Sequence, residues 1–143
     1  MEIQSVYPLI TTATLRETRA FYVRHFGFHV VFEADWVVML SANEGGPICL
    51  GLMSPDHPSR PPGPETFDGR GMIITAQVAD AAAAHERLRS AGAPIVYAPH
   101  NEPHDEPWGQ RRFVTRDPSG TLIDVVEQIE PAAGFWEQYN PIA

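Results

Sequence analysis

Two tryptophans are the side chains best suited to hold a ligand. Trp36 follows a strand-like segment, and Trp108 lies in a polar loop with Asp105, Glu106 and Gly109. An indole ring offers a wide apolar face for stacking, and the polar neighbours leave the loop open to water. We therefore predict that Trp36, Trp108 and Gly109 line a ligand site. The alternative is structural, with Trp36 packing in a hairpin and Trp108 anchoring its loop.

Groups that could bind a metal ion or transfer a proton are isolated along the chain. His100 and His104 are four residues apart, but three prolines in the same stretch exclude the helix that would bring them together. A surface loop is the favoured interpretation, and a metal site of His100, His104 and Asp105 is the alternative. Cys49 lies in an apolar segment, where a buried, inert thiol is expected. The sequence has no nucleophile–base pair, phosphate-binding glycine loop or zinc spacing.

The charge balance excludes several classes of partner. The 143 residues include 18 acidic and 10 basic side chains, a net charge of −8, and every basic residue is an arginine. A negative field disfavours nucleic acid and anionic lipid, and the absence of lysine excludes a lysine Schiff base. One cysteine cannot form an internal disulfide, and neither a membrane-spanning apolar run nor a signal peptide is recognisable. These features predict a soluble, cytoplasmic protein without nucleic acid or membrane partners.

The elements that must position these residues occur twice in the same order. The first half predicts a strand, a helix and three strands at 3–12, 15–26, 28–33, 36–41 and 47–53. The second half repeats this order at 72–78, 81–91, 94–98, 109–116 and 121–127, with a polar loop at 99–107. Gly27 and Gly92 stand at the same place in each half, where a helix-ending glycine is expected. The prediction is an internal repeat: modules at 1–53 and 71–128, a proline-rich linker at 54–70 and a tail at 129–143.

Local signals also mark the starts of the helices. Thr14 and Glu17 have the spacing of a capping box, and Asp80 is the expected cap of the second helix. Ala81, Ala84, Leu88 and Ala91 fall on the buried side of that helix, and His85 is placed at its polar edge.

The segments 106–113 and 116–120, together with the repeat, resemble the vicinal oxygen chelate superfamily of glyoxalases, bleomycin resistance proteins and extradiol dioxygenases. The resemblance covers about residues 3–128 and includes Phe21 and Tyr22 of the first helix. Segments 6–9, 26–28 and 106–109 are most similar to the bleomycin resistance proteins. The resemblance implies an α+β fold in which two tandem βαβββ modules form a curved mixed sheet around a cleft, in a homodimer.

The resemblance also bears on metal binding. In metal-dependent members four inward positions hold the ion, and they fall here on Tyr7, Cys49 or Gly51, Ile73 and Asp124. Isoleucine cannot bind a metal, and one carboxylate does not complete a site. We therefore expect no metal cofactor. One divalent ion held by Tyr7, Cys49 and Asp124 is the alternative.

A ligand site follows from the same implied geometry, which turns alternate strand residues towards the cleft. Arg111 and Arg112 point to opposite faces; a salt bridge to the acidic surface is the favoured interpretation for them, and contact of one of them with an anionic ligand is the alternative. The implied ligand site comprises Tyr7, Leu9, Trp36, Thr75, Gln77, Trp108, Gly109, Arg111 and Asp124.

The expected function is metal-independent sequestration of a small, hydrophobic, partly cationic molecule. One alternative is a metal-dependent lyase, isomerase or dioxygenase of the same superfamily. The other is an auxiliary subunit that binds another protein through Phe135, Trp136 and Tyr139.

Overall fold

Two units, each with one mixed sheet and one helix, make up residues 1–56 and 71–139, which the computed structural model describes. The first unit is Met1–Gly71 with the turn Asp117–Thr121, and the second is Met72–Arg116 with Leu122–Ala143. The predicted α+β fold with two successive modules is confirmed. Most of the predicted linker lies outside the described residues. Within the described part of the chain, no helix is long and apolar enough to cross a membrane.

The first sheet has the strand order β1-β4-β3-β2, with β1 parallel to β4 and the other pairs antiparallel. Its elements are β1 Leu9–Thr11, α1 Leu15–Phe26, β2 His29–Glu33, β3 Val37–Ser41 and β4 Ile48–Met53. Ile10, Leu40 and Leu52 of the strands are at most 1% exposed, and α1 buries Phe21 and Tyr22. These apolar side chains, removed from water, form the core of the unit.

Strand β1 is much shorter than the predicted segment 3–12. It pairs with β4 only from Leu9, opposite Gly51, to Thr11. Pro8 has no N–H to donate, and its carbonyl accepts the Gly51 amide at 2.9 Å. The strand therefore begins after the proline, and Tyr7 lies before it.

The second sheet has the order β5-β9-β8-β6, and β7 also pairs with β8. Its elements are β5 Ile73–Gln77, α2 Ala81–Ser90, β6 Ile95–Tyr97, β7 His104–Glu106, β8 Gln110–Arg116 and β9 Leu122–Gln128. The prediction of an irregular loop at 99–107 is wrong in part, because residues 104–106 pair antiparallel with 110–112. An ion pair between Asp105 and Arg111 spans this short hairpin.

The helix ends follow the local signals with one exception. Gly27 is left-handed at the end of α1, Gly92 also has a positive φ, and Asp80 Oδ1 accepts the Ala83 amide at 2.9 Å. The capping box at Thr14 is wrong, because its hydroxyl contacts the Thr12 and Thr18 hydroxyls instead. The predicted sides of α2 are wrong in part: His85 is buried rather than at a polar edge, Ala84 is half-buried, and Ala91 lies after the end of the helix and is exposed.

The imidazole of His85 belongs to the core of the second unit. It is 5% exposed and packs edge-on against the Phe113 ring, 5.1 Å between ring centres. The helix turns this position towards the sheet because Ala81 and Leu88, one turn away on either side, are also buried.

A buried tyrosine–carboxylate network belongs to the first unit. Tyr22, 1% exposed, donates its hydroxyl to Asp117 Oδ2 at 2.7 Å. Asp117 Oδ1 accepts the Ser119 hydroxyl at 2.6 Å and the Ser119 and Thr121 amides at 2.8 and 2.9 Å. Both carboxylate oxygens are therefore satisfied inside the protein.

We expect this network to make the protein less stable at alkaline pH. Burial raises the pKa of Tyr22 far above its ordinary value, and the Asp117 carboxylate raises it further. Above a pH of about 10 the unfolded tyrosine loses a proton that the folded one keeps, so the free energy of unfolding falls by about 1.4 kcal/mol per pH unit. Urea unfolding between pH 8 and 11 should show this slope in the wild type and a shallower one in Tyr22→Phe.

The control for this prediction is Tyr139→Phe, since Tyr139 is 58% exposed and outside the network. It should keep the wild-type slope. An unchanged slope in Tyr22→Phe would contradict the prediction.

Candidate functional site

The residues of β8 and β9 alternate between the two faces of the second sheet. Val114 lies opposite Asp124 and Arg112 opposite Val126, so these side chains share one face. Strand β5 adds Thr75, opposite Asp124, to the same side. We call this surface the Asp124 face. The other face contains Phe113, against which α2 packs.

An arginine joins two carboxylates on the Asp124 face. Arg112 Nε donates to Glu106 Oε1 at 2.9 Å, and Arg112 Nη1 donates to Asp124 Oδ1 at 3.3 Å. The side chains of Glu106 and Asp124 are 8% and 10% exposed, against 22% for Arg112. These hydrogen-bonded ion pairs compensate the two carboxylates for the loss of water.

Two aromatic rings flank the guanidinium of Arg112. Its Cζ lies 5.1 Å from the centre of the Tyr97 ring and 5.4 Å from that of Trp108. The Tyr97 hydroxyl donates to Glu106 Oε1 at 3.1 Å, and Trp108 Nε1 donates to Gln110 Oε1 at 2.8 Å. Both rings therefore have a fixed orientation and are within range of a cation–π interaction. We call Tyr97, Glu106, Trp108, Arg112 and Asp124 the Arg112 network.

The network perturbs the protonation of its members. Burial raises the pKa of Asp124, and the nearby Glu106 raises it too, while Arg112 opposes the increase. Loss of water also raises the pKa of Tyr97, as does its bond to Glu106. The ionised state of Asp124 therefore depends on Arg112.

The residues present do not fit a metal centre of the family type. Asp124, the one carboxylate among the implied ligands, is bound by a guanidinium that repels a metal cation. Ile73 has no donor atom, and burial raises the pKa of the Cys49 thiol, which disfavours the thiolate that binds metals. Across residues 1–56 and 71–139, no three His, Cys, Asp or Glu side chains are close enough to share an ion. His100, His104 and Asp105 accordingly form no cluster.

Arg111 lies on the opposite side of the sheet from Asp124. Its Nε donates to Asp105 Oδ1 at 2.6 Å, and its Nη1 is 3.9 Å from Glu127 Oε1. A cavity of about 460 Å³ opens on this side, lined by Ala82, Glu102, Pro103, His104, Asp105 and Arg111. Arg111 and Asp105 neutralise each other there, and no described residue of the lining is Trp, Tyr or Phe. The Asp124 face is therefore the better candidate, and a ligand role for Arg111 stays a prediction.

The other predicted site residues divide between the units. Thr75 and Gln77 are exposed on the Asp124 face, where Gln77 Oε1 accepts from Gln128 Nε2 at 3.3 Å. Gly109 is buried beside Trp108. The remaining three belong to the first unit: half-buried Tyr7 and Trp36, and Leu9, which is 49% exposed.

Sequence reasoning named Arg112 but chose Arg111 for the ligand site, and it gave Tyr97 and Glu106 no role in binding. A signal for Arg112 was available, because β8 and β9 flank the tight turn at Asp117–Thr121 and even-numbered residues pair across it. Counting by two from Asp124 selects Arg112 rather than Arg111. Tyr97 and Glu106 had no comparable signal, since each reaches the site through a separate short strand.

Comparisons with known proteins agree on the fold. Residues 4–125 match the family model of the Glyoxalase/Bleomycin resistance protein/Dioxygenase superfamily. No match was found among curated proteins. A solved glyoxalase/bleomycin resistance protein/dioxygenase from Nocardioides is 19% identical, over 91% of this chain and 87% of that one, with a TM-score of 0.68.

Two further solved structures have other names. Lactoylglutathione lyase from Agrobacterium tumefaciens is 19% identical, over 89% of this chain and 96% of that one, with a TM-score of 0.66. TioX from Micromonospora sp. ML1 is 23% identical, over 87% of this chain and 100% of that one, with a TM-score of 0.63. At these identities the likeness concerns the fold alone.

Proposed function

The chain belongs to the glyoxalase/bleomycin resistance protein/dioxygenase superfamily, and we propose that it binds a small organic molecule on the Asp124 face without a metal ion. The proposal rests on the ion pair between Asp124 and Arg112. The family resemblance implies that Asp124 corresponds to a carboxylate ligand of the metal-dependent members, and here the Arg112 guanidinium supplies the positive charge beside it. Stoichiometric capture, rather than metal-assisted turnover, is the function that such a site can perform.

The surroundings of the network support a hydrophobic ligand that has a positive charge. Two carboxylates face one guanidinium, so the site has an excess of negative charge, and the whole chain has a net charge of −8. The half-buried Trp108 leaves part of its ring accessible for stacking. Exposed Thr75 and Gln77 add polar groups on the same face. Contributions from Tyr7, Leu9 and Trp36, a homodimer and a cytoplasmic location remain predictions.

Metal analysis tests the proposal against the enzyme alternative. Protein purified without chelator or metal-affinity tag is analysed for bound elements and titrated with Zn²⁺, Ni²⁺, Fe²⁺ and Mn²⁺ by calorimetry. We expect no stoichiometric metal and no tight binding. One tightly held ion per chain would overturn the proposal and favour a lyase, isomerase or dioxygenase.

Replacing Trp108 with alanine should weaken capture of a flat aromatic cation. Thioflavin T is a suitable probe because its fluorescence reports binding directly. Loss of stacking on one ring is expected to cost about 1–3 kcal/mol, or roughly 5- to 150-fold in affinity. The matched control is Phe32→Ala, since Phe32 is 58% exposed on β2 of the first unit. Equal affinities of the wild type and Trp108→Ala would remove Trp108 from the site.

A further inference from the structure

We propose that the C-terminal segment 129–136 contributes to ligand binding by holding Trp108 in place over Arg112. This inference rests on the proposed function and deepens it by adding Trp136 as a positioning residue. The segment follows β9, and the sequence predicted no role for it in the ligand site.

Three successive carbonyls of the Trp108 loop accept hydrogen bonds from this segment. The Ala132 amide donates to the Pro107 oxygen at 2.9 Å, and the Ile129 amide donates to the Gly109 oxygen at 2.9 Å. Between them, Nε1 of Trp136 donates to the Trp108 oxygen at 3.0 Å. The backbone on both sides of Trp108 is thus fixed by residues 20 to 28 positions further along the chain.

Gly109 shows how closely the segment approaches the loop. Its φ is +106°, and a Cβ built there would lie 3.0 Å from both the Ile129 oxygen and Pro131 Cγ. A larger residue would therefore have to push the segment away, in addition to adopting an unfavourable backbone conformation. The loop and the segment are therefore in close contact at Gly109, and any other residue there would need the segment to move by a few tenths of an ångström.

Packing of aromatic rings adds to the contact between the segment and the Trp108 loop. Phe135 lies 6.4 Å from the Trp108 ring, and its own ring contacts Trp136 at 5.2 Å and Tyr139 at 5.3 Å. Trp108 thus contacts Phe135 as well as the Arg112 guanidinium. Trp136 itself is 56% exposed, so its ring contributes little to a core. The specific contribution of Trp136 is its indole N–H, which binds the Trp108 carbonyl.

These contacts have a consequence for ligand binding. An indole that must stack on a ligand gives higher affinity when it is already held in the bound orientation, because less freedom is lost on binding. Loosening the segment should therefore weaken binding without unfolding the sheet. Phe135 and Trp136 contact Trp108 within the unit, which supports this role for the segment.

The test removes one hydrogen bond and keeps the ring. Trp136→Phe deletes the indole N–H, and Tyr139→Phe is the matched control, since Tyr139 packs in the same cluster and its hydroxyl makes no bond to the loop. Two quantities are measured: thioflavin T affinity, and the ¹⁵N–¹H NMR signal and hydrogen exchange of the Trp108 indole without dye. We expect Trp136→Phe to weaken dye binding about 3- to 10-fold and to speed exchange of the Trp108 indole, at an unchanged melting temperature.

The outcomes separate this inference from the proposed function. If the wild type does not bind the dye, capture of aromatic cations fails, while the indole exchange still decides whether Trp136 positions Trp108. An unchanged Trp108 signal in Trp136→Phe would overturn the positioning role. A lowered melting temperature together with an unchanged signal would also overturn it. Similar losses in Tyr139→Phe would assign the effect to general packing and would equally overturn it.

Discussion

Arg112→Ala is expected to lower the free energy of unfolding by about 2–3 kcal/mol and to abolish the ligand site. The substitution leaves Glu106 and Asp124, 8% and 10% exposed, without their cationic partner. Breaking a buried ion pair from one side typically costs about 3–5 kcal/mol, and we expect less here because Arg112 is 22% exposed. Urea unfolding followed by circular dichroism measures the loss, and thioflavin T titration measures binding.

The loss caused by Arg112→Ala should depend on pH in a defined direction. Arg112 holds down the pKa of Asp124, so its removal lets burial raise that pKa further. Between the ordinary aspartate value of about 4 and the raised value, the folded variant binds a proton that the unfolded chain does not. The variant therefore becomes more stable as the pH falls through this window. The difference in free energy of unfolding between the wild type and Arg112→Ala should be smaller at pH 4.5 than at pH 7.

The matched control is Arg111→Ala, on the same strand but on the other face. Arg111 pairs with Asp105, which is 54% exposed, and exposed ion pairs contribute little. Arg111→Ala should therefore lose far less stability than Arg112→Ala, and it should still bind the dye. If the two arginine variants behaved alike, the assignment of the site to the Asp124 face would fail.

Asp117→Ala should destabilise the protein by about 3–5 kcal/mol, the largest effect expected in the first unit. Asp117 is 3% exposed, and its carboxylate accepts bonds from the Tyr22 hydroxyl and from the Ser119 and Thr121 amides. Each donor left buried without an acceptor costs about 1–3 kcal/mol, and the losses are only partly additive. The midpoint of urea unfolding at pH 7 measures the change.

Two further variants show whether Asp117 acts through these bonds. Asp117→Asn keeps one acceptor oxygen, so its free energy of unfolding should fall less than that of Asp117→Ala. Asp35→Ala removes an exposed turn carboxylate of the same unit and should remain close to the wild type. A loss below about 1 kcal/mol in Asp117→Ala would mean that the donors find other partners.

The order of elements could be predicted because its signals are local. Apolar spacing distinguished helices from strands, Asp80 marked a helix start, and Gly27 marked a helix end. The strand β1 was predicted too long, because the end of a strand depends on where its partner β4 stops pairing. The capping box at Thr14 failed because its hydroxyl contacts the hydroxyls of Thr12 and Thr18, two and four positions away, instead of a backbone amide.

The candidate site could be predicted only in part. Trp108 and Asp124 were named from residue type, loop chemistry and the family resemblance, and both belong to the Arg112 network. Arg111 was preferred to Arg112, although only Arg112 shares a face with Asp124 in the β8–β9 register. Glu106 and Tyr97 were missed because their contribution depends on the pairing of β6 and β7 with the same strand β8.

The amino-acid sequence by itself determined the two-module order, the helix-ending glycines, the acidic character and the family. These properties depend on residue types and on interactions within a few positions of the chain. Only the tertiary structure decided that Arg112 binds Asp124, that Tyr22 reaches Asp117, and that the segment 129–136 donates hydrogen bonds to residues 107–109. Each of these contacts joins residues distant in sequence, or selects one of two adjacent side chains, and its free energy depends on register, burial and distance that no local pattern contains.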